Sequence, residues 1–238
     1  MFKKIKYFLT LFVRIIKLPK VNIAFKNSSQ ASLENYKETY RYFTKAHRYK
    51  IIKNKTIGVA LIDLSDYKHF DDYYRSVNGK NSAAYYRRKA LKRGYRFVEI
   101  DRNDFIDDIY EINTSAPVRQ GKEMTQHYLQ KPSNYIEQPN YRYFGVIDKE
   151  GKLRSYCNIA FYGEFSLIVS LLGHKNHLND GIMYLMLTEV IKLMFDSYVQ
   201  KGYKYIMYDT FIGATEGLKN FKKKLGFHPY RVKWIWKN

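Results

Sequence analysis

The chain is short of cysteine, of acidic side chains and of long apolar runs, and each shortage removes a class of explanation. One cysteine in 238 residues, Cys157, excludes an intrachain disulfide and any multi-thiolate zinc site. It stands in the apolar, strand-like run "SYCNIAFY" and is expected to be an inert core thiol rather than a reactive one. A reducing compartment is consistent with this. No apolar run is long enough to span a bilayer, and the nearest, at the N-terminus, is interrupted by Arg14. No small-residue cleavage site follows it, so a secretory signal is not expected. The sequence carries no internal repeat, no low-complexity tract, no recognition-helix signature and no RNP element. Asp and Glu number 22 against 42 Lys and Arg, a formal charge of +20. A charge of that size favours polyanionic partners such as nucleic acid, anionic lipid or a phosphorylated cofactor, without choosing among them.

What is present is enough for a folded domain. Hydrophobic residues make up 45% of the chain, which rules out a disordered polymer. Tyrosine is abundant, at 24 residues, and most of these rings are expected to be half-buried packing. The first twenty residues, "MFKKIKYFLTLFVRIIKLPK", hold six basic residues and no acidic one. On a helical wheel Lys3, Lys6, Thr10, Arg14 and Lys17 share one side. Phe8, Leu9, Phe12, Val13, Ile15 and Ile16 spread over the other, and Lys4 is the exception. The pattern suits a helix lying in an anionic membrane interface on the cytoplasmic side, or one packed on the domain's own surface.

Residues 26–35 read as a polar linker. "TIGVALIDL" reads as a strand, "DYKHFDDYYRSV" as a helix and "NSAAYYRRKALKRG" as a helix capped by Asn81 or Ser82 and stopped by Gly94. "YRFVEI" is a strand and "NDFIDDIYEIN" a helix with Phe105, Ile109 and Ile112 on one face. "YRYFGVID", "KLRSYCNIAFYG" and "EFSLIVSLLGH" are three successive strands joined by tight turns. Asn179 or Asp180 is expected to cap a long helix buried through Ile182, Leu185, Met186, Val190, Leu193 and Met194. "YKYIMYD" is a strand. In "EGLKNFKKKLGF" the residues Leu218, Phe221 and Leu225 share one helix face, Thr215 caps the start and Gly226 the end. Val232, Trp234 and Trp236 then alternate in a last strand. The order predicts an α/β (α+β) fold with a mixed central sheet flanked by helices. The expected division is a basic amphipathic helix over 1–20, an extension over 21–94 and a principal domain over 95–238.

The order of elements from residue 95 to 236 resembles that of the GNAT acyltransferases, and "NFKKKLGF" resembles the late GNAT helix that ends in Gly-Phe. "TFIGATEGLKNFKKKLGF" is more similar still to the FemAB-like branch. There a strand ending in Tyr-Asp precedes a glycine, a Phe-Lys pair and a further glycine, here Tyr208, Asp209, Gly213, Phe221, Lys222 and Gly226. The basic helix and strand of "YYRRKALKRGYRFVEI" resemble that branch as well. The resemblance implies nucleophilic attack by an amine acceptor on an activated acyl carbonyl, with acyl-CoA as co-substrate. The FemAB-like branch implies aminoacyl-tRNA instead, usually on two tandem units. A non-catalytic nucleic-acid or membrane-binding protein is the third reading.

The resemblance also assigns residues. A CoA pyrophosphate would rest on backbone N–H groups where the long helix starts, at His174, Lys175, Asn179 and Gly181. Gly181 matches the first glycine of the family's Gly-rich loop; Met183 stands in place of the second, and no Arg or Gln lies three residues before Gly181, so the cradle is degenerate. Many GNAT enzymes carry a tyrosine acid four residues before the glycine of Gly-Phe, and this sequence has Lys222 there. Lys222 is expected to face inward and stabilise an oxyanion or hold a phosphate; Lys219, Lys223 and Lys224 are expected to be solvated or phosphate-attracting. Asp209 and Tyr208 lie at the C-terminal end of a strand, where such sheets place ligands, as amine-orienting base and substrate contact. His177 is a candidate general base. With His174 it makes a pair three residues apart, but no third metal ligand is evident. Arg119 in "VRQGKEM" resembles an acceptor-loop arginine that would hold an anionic group.

Overall fold

The structure is a computed structural model, and it describes residues 15–26, 32–46 and 53–237. Most of the amphipathic N-terminal segment, residues 1–14, lies outside the described residues, so the expected interfacial helix is not among them. In chain order the strands are β1 (Lys20–Lys26), β2 (Ile57–Asp63), β3 (Arg96–Glu99), β4 (Val118–Arg119), β5 (Lys122–Glu123), β6 (Tyr141–Ile147), β7 (Leu153–Phe161), β8 (Phe165–Gly173), β9 (Tyr205–Thr210) and β10 (His228–Lys237). The helices are α1 (Leu33–Thr44), α2 (Phe70–Ser76), α3 (Ala83–Lys92), α4 (Ile106–Thr114), α5 (Gln126–Leu129), α6 (Ile182–Ser197) and α7 (Glu216–Lys224).

Eight strands make one mixed sheet in the order β1-β10-β2-β9-β8-β7-β6-β3, and β4 with β5 forms a separate small ladder. The pairs β1–β10 and β8–β9 are parallel and the others antiparallel. One face carries α2, α3 and α6, whose Tyr73, Ala90, Ile182, Leu185 and Met186 close over Ile62, Cys157, Ile206 and Phe227. The opposite face carries α1 over Phe25, Leu61, Phe165 and Trp234, and α4 over Tyr143, Tyr156 and Leu172. Phe25 is completely buried among rings, with centroids 5.0 Å from Phe165 and 5.6 Å from Trp234. Edge-to-face pairs of this kind add about 0.5–1.5 kcal/mol beyond burial. Cys157 is fully buried and burial pushes its thiol up, which makes it the inert core residue expected.

The boundary expected at residue 94 does not separate two bodies. β2 lies between β10 and β9 in the middle of the sheet, and β1 pairs with β10 from Lys20↔Arg231 to Lys26↔Lys237. The reason is visible in β2 itself. Five successive residues, Gly58 to Ile62, are buried, so the strand is apolar on both faces and needs a layer on each. A strand of that composition cannot stand in a solvated extension.

Candidate active site

The sheet opens where β8 and β9 part. Among the described residues they pair only over residues 165–167 and 205–207, and no strand pairing joins them beyond Leu167 and Met207. A bulge adds to the divergence. Val59 pairs with Thr210 and Leu61 with Met207, so β9 carries one residue more than β2 over that interval. Asp209 takes up the extra length with φ 52, a left-handed conformation that Asp tolerates better than most residues. The result turns Tyr208 into the gap and leaves Asp209 exposed at the strand's end.

Two clefts meet there. One, of about 640 Å³, lies towards α6 and α7 and is lined by Arg119, Leu171, Lys175, Met183, Phe221 and Tyr208 among others. The second, of about 470 Å³, lies towards α1 and is lined by Glu38, Tyr42, Lys55, Tyr141, Asp209 and again Tyr208. Tyr208 is the residue common to both. Burial raises its phenol, so the ring is a neutral wall near neutral pH.

Lys222 is held beneath this junction. Thr215 caps α7 by accepting from the Leu218 amide at 3.4 Å. At the far end the amides of Gly226 and Phe227 return to the carbonyls of Lys223 and Lys222 at 3.0 Å each, with Gly226 at φ 79. The amphipathic face then points Phe221 and Lys222 inward, and Lys222 is 0% exposed. Its ammonium donates to the Thr210 carbonyl at 2.8 Å and sits 4.7 Å from the centre of the Tyr208 ring. Burial brings its pKa down from 10.5 to about 8; Asp209 pulls it upward and Lys55 pushes it further down. The other lysines of the run, expected to be solvated or phosphate-attracting, divide among solvent, an ion pair and a ring. Lys219 pairs with Glu216 at 2.8 Å, Lys223 is exposed, and Lys224 lies 5.0 Å above the Tyr86 ring.

Lys55 is a member of the site that sequence reasoning missed. Its ammonium forms an ion pair with Asp209, its backbone is also left-handed at φ 47, and its carbonyl accepts from the Trp234 indole at 2.7 Å. Nothing in "KNKTIG" marks it, because its position depends on the bulge in β9.

The loop expected to cradle a pyrophosphate is arranged differently. Residues Lys175–Asp180 form a 3₁₀ turn, and the cap of α6 is Gly181 at φ 90, not Asn179 or Asp180. Much of the loop backbone is already satisfied. The amide of Lys175 donates to Ser115 Oγ at 3.1 Å, that of Asn176 to His174 Nδ1 at 3.3 Å, that of His177 to the His174 carbonyl at 3.0 Å and that of Gly181 to Leu178 at 3.2 Å. Helix α3 lies against the loop: a Cβ on Gly181 would stand 2.4 Å from the Tyr86 carbonyl, and Lys89 donates to the Asn179 carbonyl at 2.6 Å. Of the four residues assigned to the cradle, only Lys175 lines the cleft.

The two histidines also face elsewhere. His177 Nδ1 is 2.6 Å from the Tyr95 hydroxyl, which donates to Asp180 at 2.6 Å, and Asp180 is paired with Arg93. His174 is 3.4 Å from Glu111. Burial holds both imidazoles below their usual range. Neither lines either cleft, so the structure does not bring His177 to Lys222 and Asp209 as a base. Among the described residues no three His, Cys, Asp or Glu side chains gather to hold a metal ion. Arg119 lines the first cleft, but both terminal nitrogens of its guanidinium are spent within the fold, and its buried Nε has no partner among the described residues. It donates to the Gly173 carbonyl at 2.9 Å, the Ile112 carbonyl at 2.5 Å and Ser115 Oγ at 3.0 Å, and so ties the end of α4 to the end of β8. An arginine free to take an anionic acceptor was the expectation; the backbone carbonyls of α4 and β8 hold it instead.

No family model and no curated protein matches the sequence. Solved structures do. FemX aligns with 84% of this chain and 66% of its own at 14% identity, with a TM-score of 0.57. The chain has the GNAT fold. A tandem GNAT protein from the clavulanic acid biosynthesis pathway aligns over 73% of this chain and 50% of its own at 14% identity and a TM-score of 0.47. The C-terminal domain of a putative lysylphosphatidylglycerol synthetase from Agrobacterium fabrum aligns over 72% and 57% at 13% identity and 0.47. The chain therefore spans between half and two thirds of the length of these structures. Among the described residues no helix is long and apolar enough to cross a membrane.

Proposed function

We propose that the protein transfers an acyl group from an activated ester to an amine acceptor, with Lys222 as the group that stabilises the reacting carbonyl. The observation that carries this reading is a fully buried lysine that lines neither cleft itself but whose ammonium lies 4.7 Å from the ring of Tyr208, the residue the two clefts share. Two substrates entering from opposite sides of the sheet would meet above its ammonium. Amine attack forms the C–N bond and drives the carbonyl electrons onto oxygen. An ammonium that spends one N–H on Thr210 keeps two for that oxyanion. A pKa of about 8 leaves Lys222 mostly protonated at neutral pH yet close enough to surrender a proton to the leaving alkoxide. Asp209, exposed in the second cleft, would hold and orient the incoming ammonium and accept the proton it gives up before attack.

The donor that fits best is an aminoacyl ester of RNA. Three things support it over acyl-CoA: the amides of Lys175, Asn176, His177 and Gly181 in the loop have internal partners, α3 covers Gly181, and the Tyr-Asp, Gly and Phe-Lys pattern resembles the FemAB-like branch. Transfer assays with labelled acetyl-CoA and with charged tRNA, on wild type and Lys222→Ala, test the reading. Lys222-dependent transfer from the charged tRNA is expected. Lys222-dependent transfer from acetyl-CoA alone would return the donor to CoA, and transfer indifferent to Lys222 would remove the proposed role.

A further inference from the structure

Helix α7 lines the first cleft through Gly217, Leu218 and Phe221, and Lys224 at its end reaches over Tyr86 of α3. The run from Ala83 to Arg93 carries five basic residues and no acid, and that from Gly217 to Phe227 four lysines and no acid. Two carboxylates of α6 and its approach face this region, and each is already neutralised. Glu189 accepts from Arg87 at 2.7 Å and Asp180 is paired with Arg93. Among the described residues no carboxylate pairs with Arg88, Lys89, Lys92, Lys223 or Lys224, nor with Lys175 at the cleft mouth. The acids of this region are thus spent on two arginines and, with Glu216 at the start of α7, on Lys219, which leaves a strip of cations without counter-charge.

Rings run from that strip into the cleft. Lys224 joins the two helices by lying 5.0 Å above Tyr86. Tyr86 stacks on Tyr184 with centroids 4.7 Å apart and planes 14° from parallel, Tyr184 meets Phe221 at 4.8 Å, and Phe221 meets Tyr208 at 6.5 Å. Tyr85 is next to Tyr86 and 44% exposed. Unpaired cations that follow a backbone, beside aromatic faces on which bases can stack, are the means by which single-stranded nucleic acid is held. A lipid surface would call for a broad apolar face, and the large apolar side chains exposed on α3 are Tyr85 and Leu91.

We propose that the α3–α7 seam binds the single-stranded 3′ end of an RNA and leads it into the cleft above Lys222. The proposal rests on the reading that the donor is an RNA ester, and it adds the surface that grips the carrier. The test uses uncharged tRNA labelled at its 3′ end, titrated by fluorescence anisotropy between about 50 and 300 mM salt. Arg88→Gln, Lys92→Gln and Lys223→Gln are combined; all three side chains are exposed, and circular dichroism verifies the fold. A control combines Lys201→Gln, Lys233→Gln and Lys237→Gln, exposed residues at a distance that change the net charge equally. The seam variant is expected to lower the slope of log affinity against log salt by about 2, from three contacts at roughly 0.7 each on a single strand. It should bind at least about tenfold more weakly at low salt, the control should stay near wild type, and Tyr85→Ala should weaken binding at unchanged slope. Equal losses in seam and control variants would overturn the seam while leaving the RNA-ester donor standing. A wild-type protein that does not bind tRNA at 50 mM salt, or that binds anionic vesicles through the same residues instead, would overturn both.

Discussion

Replacing Lys222 by methionine should cost activity and spare, or even raise, stability. The side chain has almost the same reach but no charge to desolvate. In the folded chain Lys222 ionises at about 8 instead of its usual 10.5, and at 1.36 kcal/mol per pH unit that drop is worth about 3 kcal/mol of destabilisation. The methionine recovers it but leaves the Thr210 carbonyl without its donor, a loss of about 1–3 kcal/mol. At pH 7 the variant should therefore be between neutral and about 2 kcal/mol more stable than wild type. The pH dependence is the sharper test. Below pH 8 the lysine is charged in both states and the full penalty applies. Between about 8 and 10.5 the unfolded chain binds the proton that the folded chain has released, so wild-type stability rises with pH; above 10.5 the penalty is gone. Urea denaturation of both proteins at pH 7 and pH 10.5 should show the gap moving by about 3 kcal/mol in favour of the wild type. Turnover should fall about a hundredfold or more, the scale of losing one oxyanion donor, whereas Lys223→Met should change little. A stability gap that does not move with pH, or equal turnover in the two variants, would refute the reasoning.

Asp209→Asn should keep the fold, because asparagine also tolerates the left-handed backbone, but lower turnover at least about tenfold if the carboxylate orients the amine. It should also drop the Lys222 pKa further, since Asp209 pulls it upward; rate–pH profiles read both effects. Gly181→Val should cost about 2 kcal/mol or more in urea denaturation, as φ 90 excludes a β-branched residue and its Cβ would meet the Tyr86 carbonyl. His177→Gln should cost about 1 kcal/mol of stability through the lost bond to Tyr95 and leave turnover within about twofold. A hundredfold fall there would restore histidine as the base.

The architecture was legible wherever a residue's role depends on its own segment. Leu218, Phe221 and Leu225 marked the inward stripe of α7 and its cap, half-buried where Leu218 and Phe221 line the first cleft, Gly226 marked its end, and the position of Lys222 beside that stripe predicted its inward aim. Asp209 and Tyr208 were legible as the end of a strand. What escaped depends on neighbours far along the chain. The ion pair of Lys55 with Asp209 exists because β2 and β9 are adjacent and one of them is bulged. His177 looked available because the Tyr95 hydroxyl that engages it is 82 residues away. Arg119 looked free because its carbonyl partners on α4 and β8 meet only in the fold. Gly181 was found as a special position, but its reason, the carbonyl of Tyr86 pressed against it, belongs to a helix that the sequence placed in another domain.

The position of β2 has a bearing on how the chain is made. Its two neighbours in the sheet are β9 and β10, drawn from residues 205–210 and 228–237, and among the described residues the strand that β1 pairs with is β10. Both N-terminal strands are therefore synthesised long before any partner exists, and the loops to be closed span most of the polypeptide. Such long-range pairing slows folding. During translation the apolar run of β2 has no strand to lie beside until β9 emerges and no second one until β10 does, so it is the segment most in need of chaperone cover. A chain ending before residue 228 would leave β2 with an open edge and β1 with none to join, and is expected to be degraded rather than to accumulate as a smaller active form. Pulse proteolysis of ribosome-bound chains stalled at residues 227 and 238, each extended by a linker that fills the exit tunnel, would show protection only in the second.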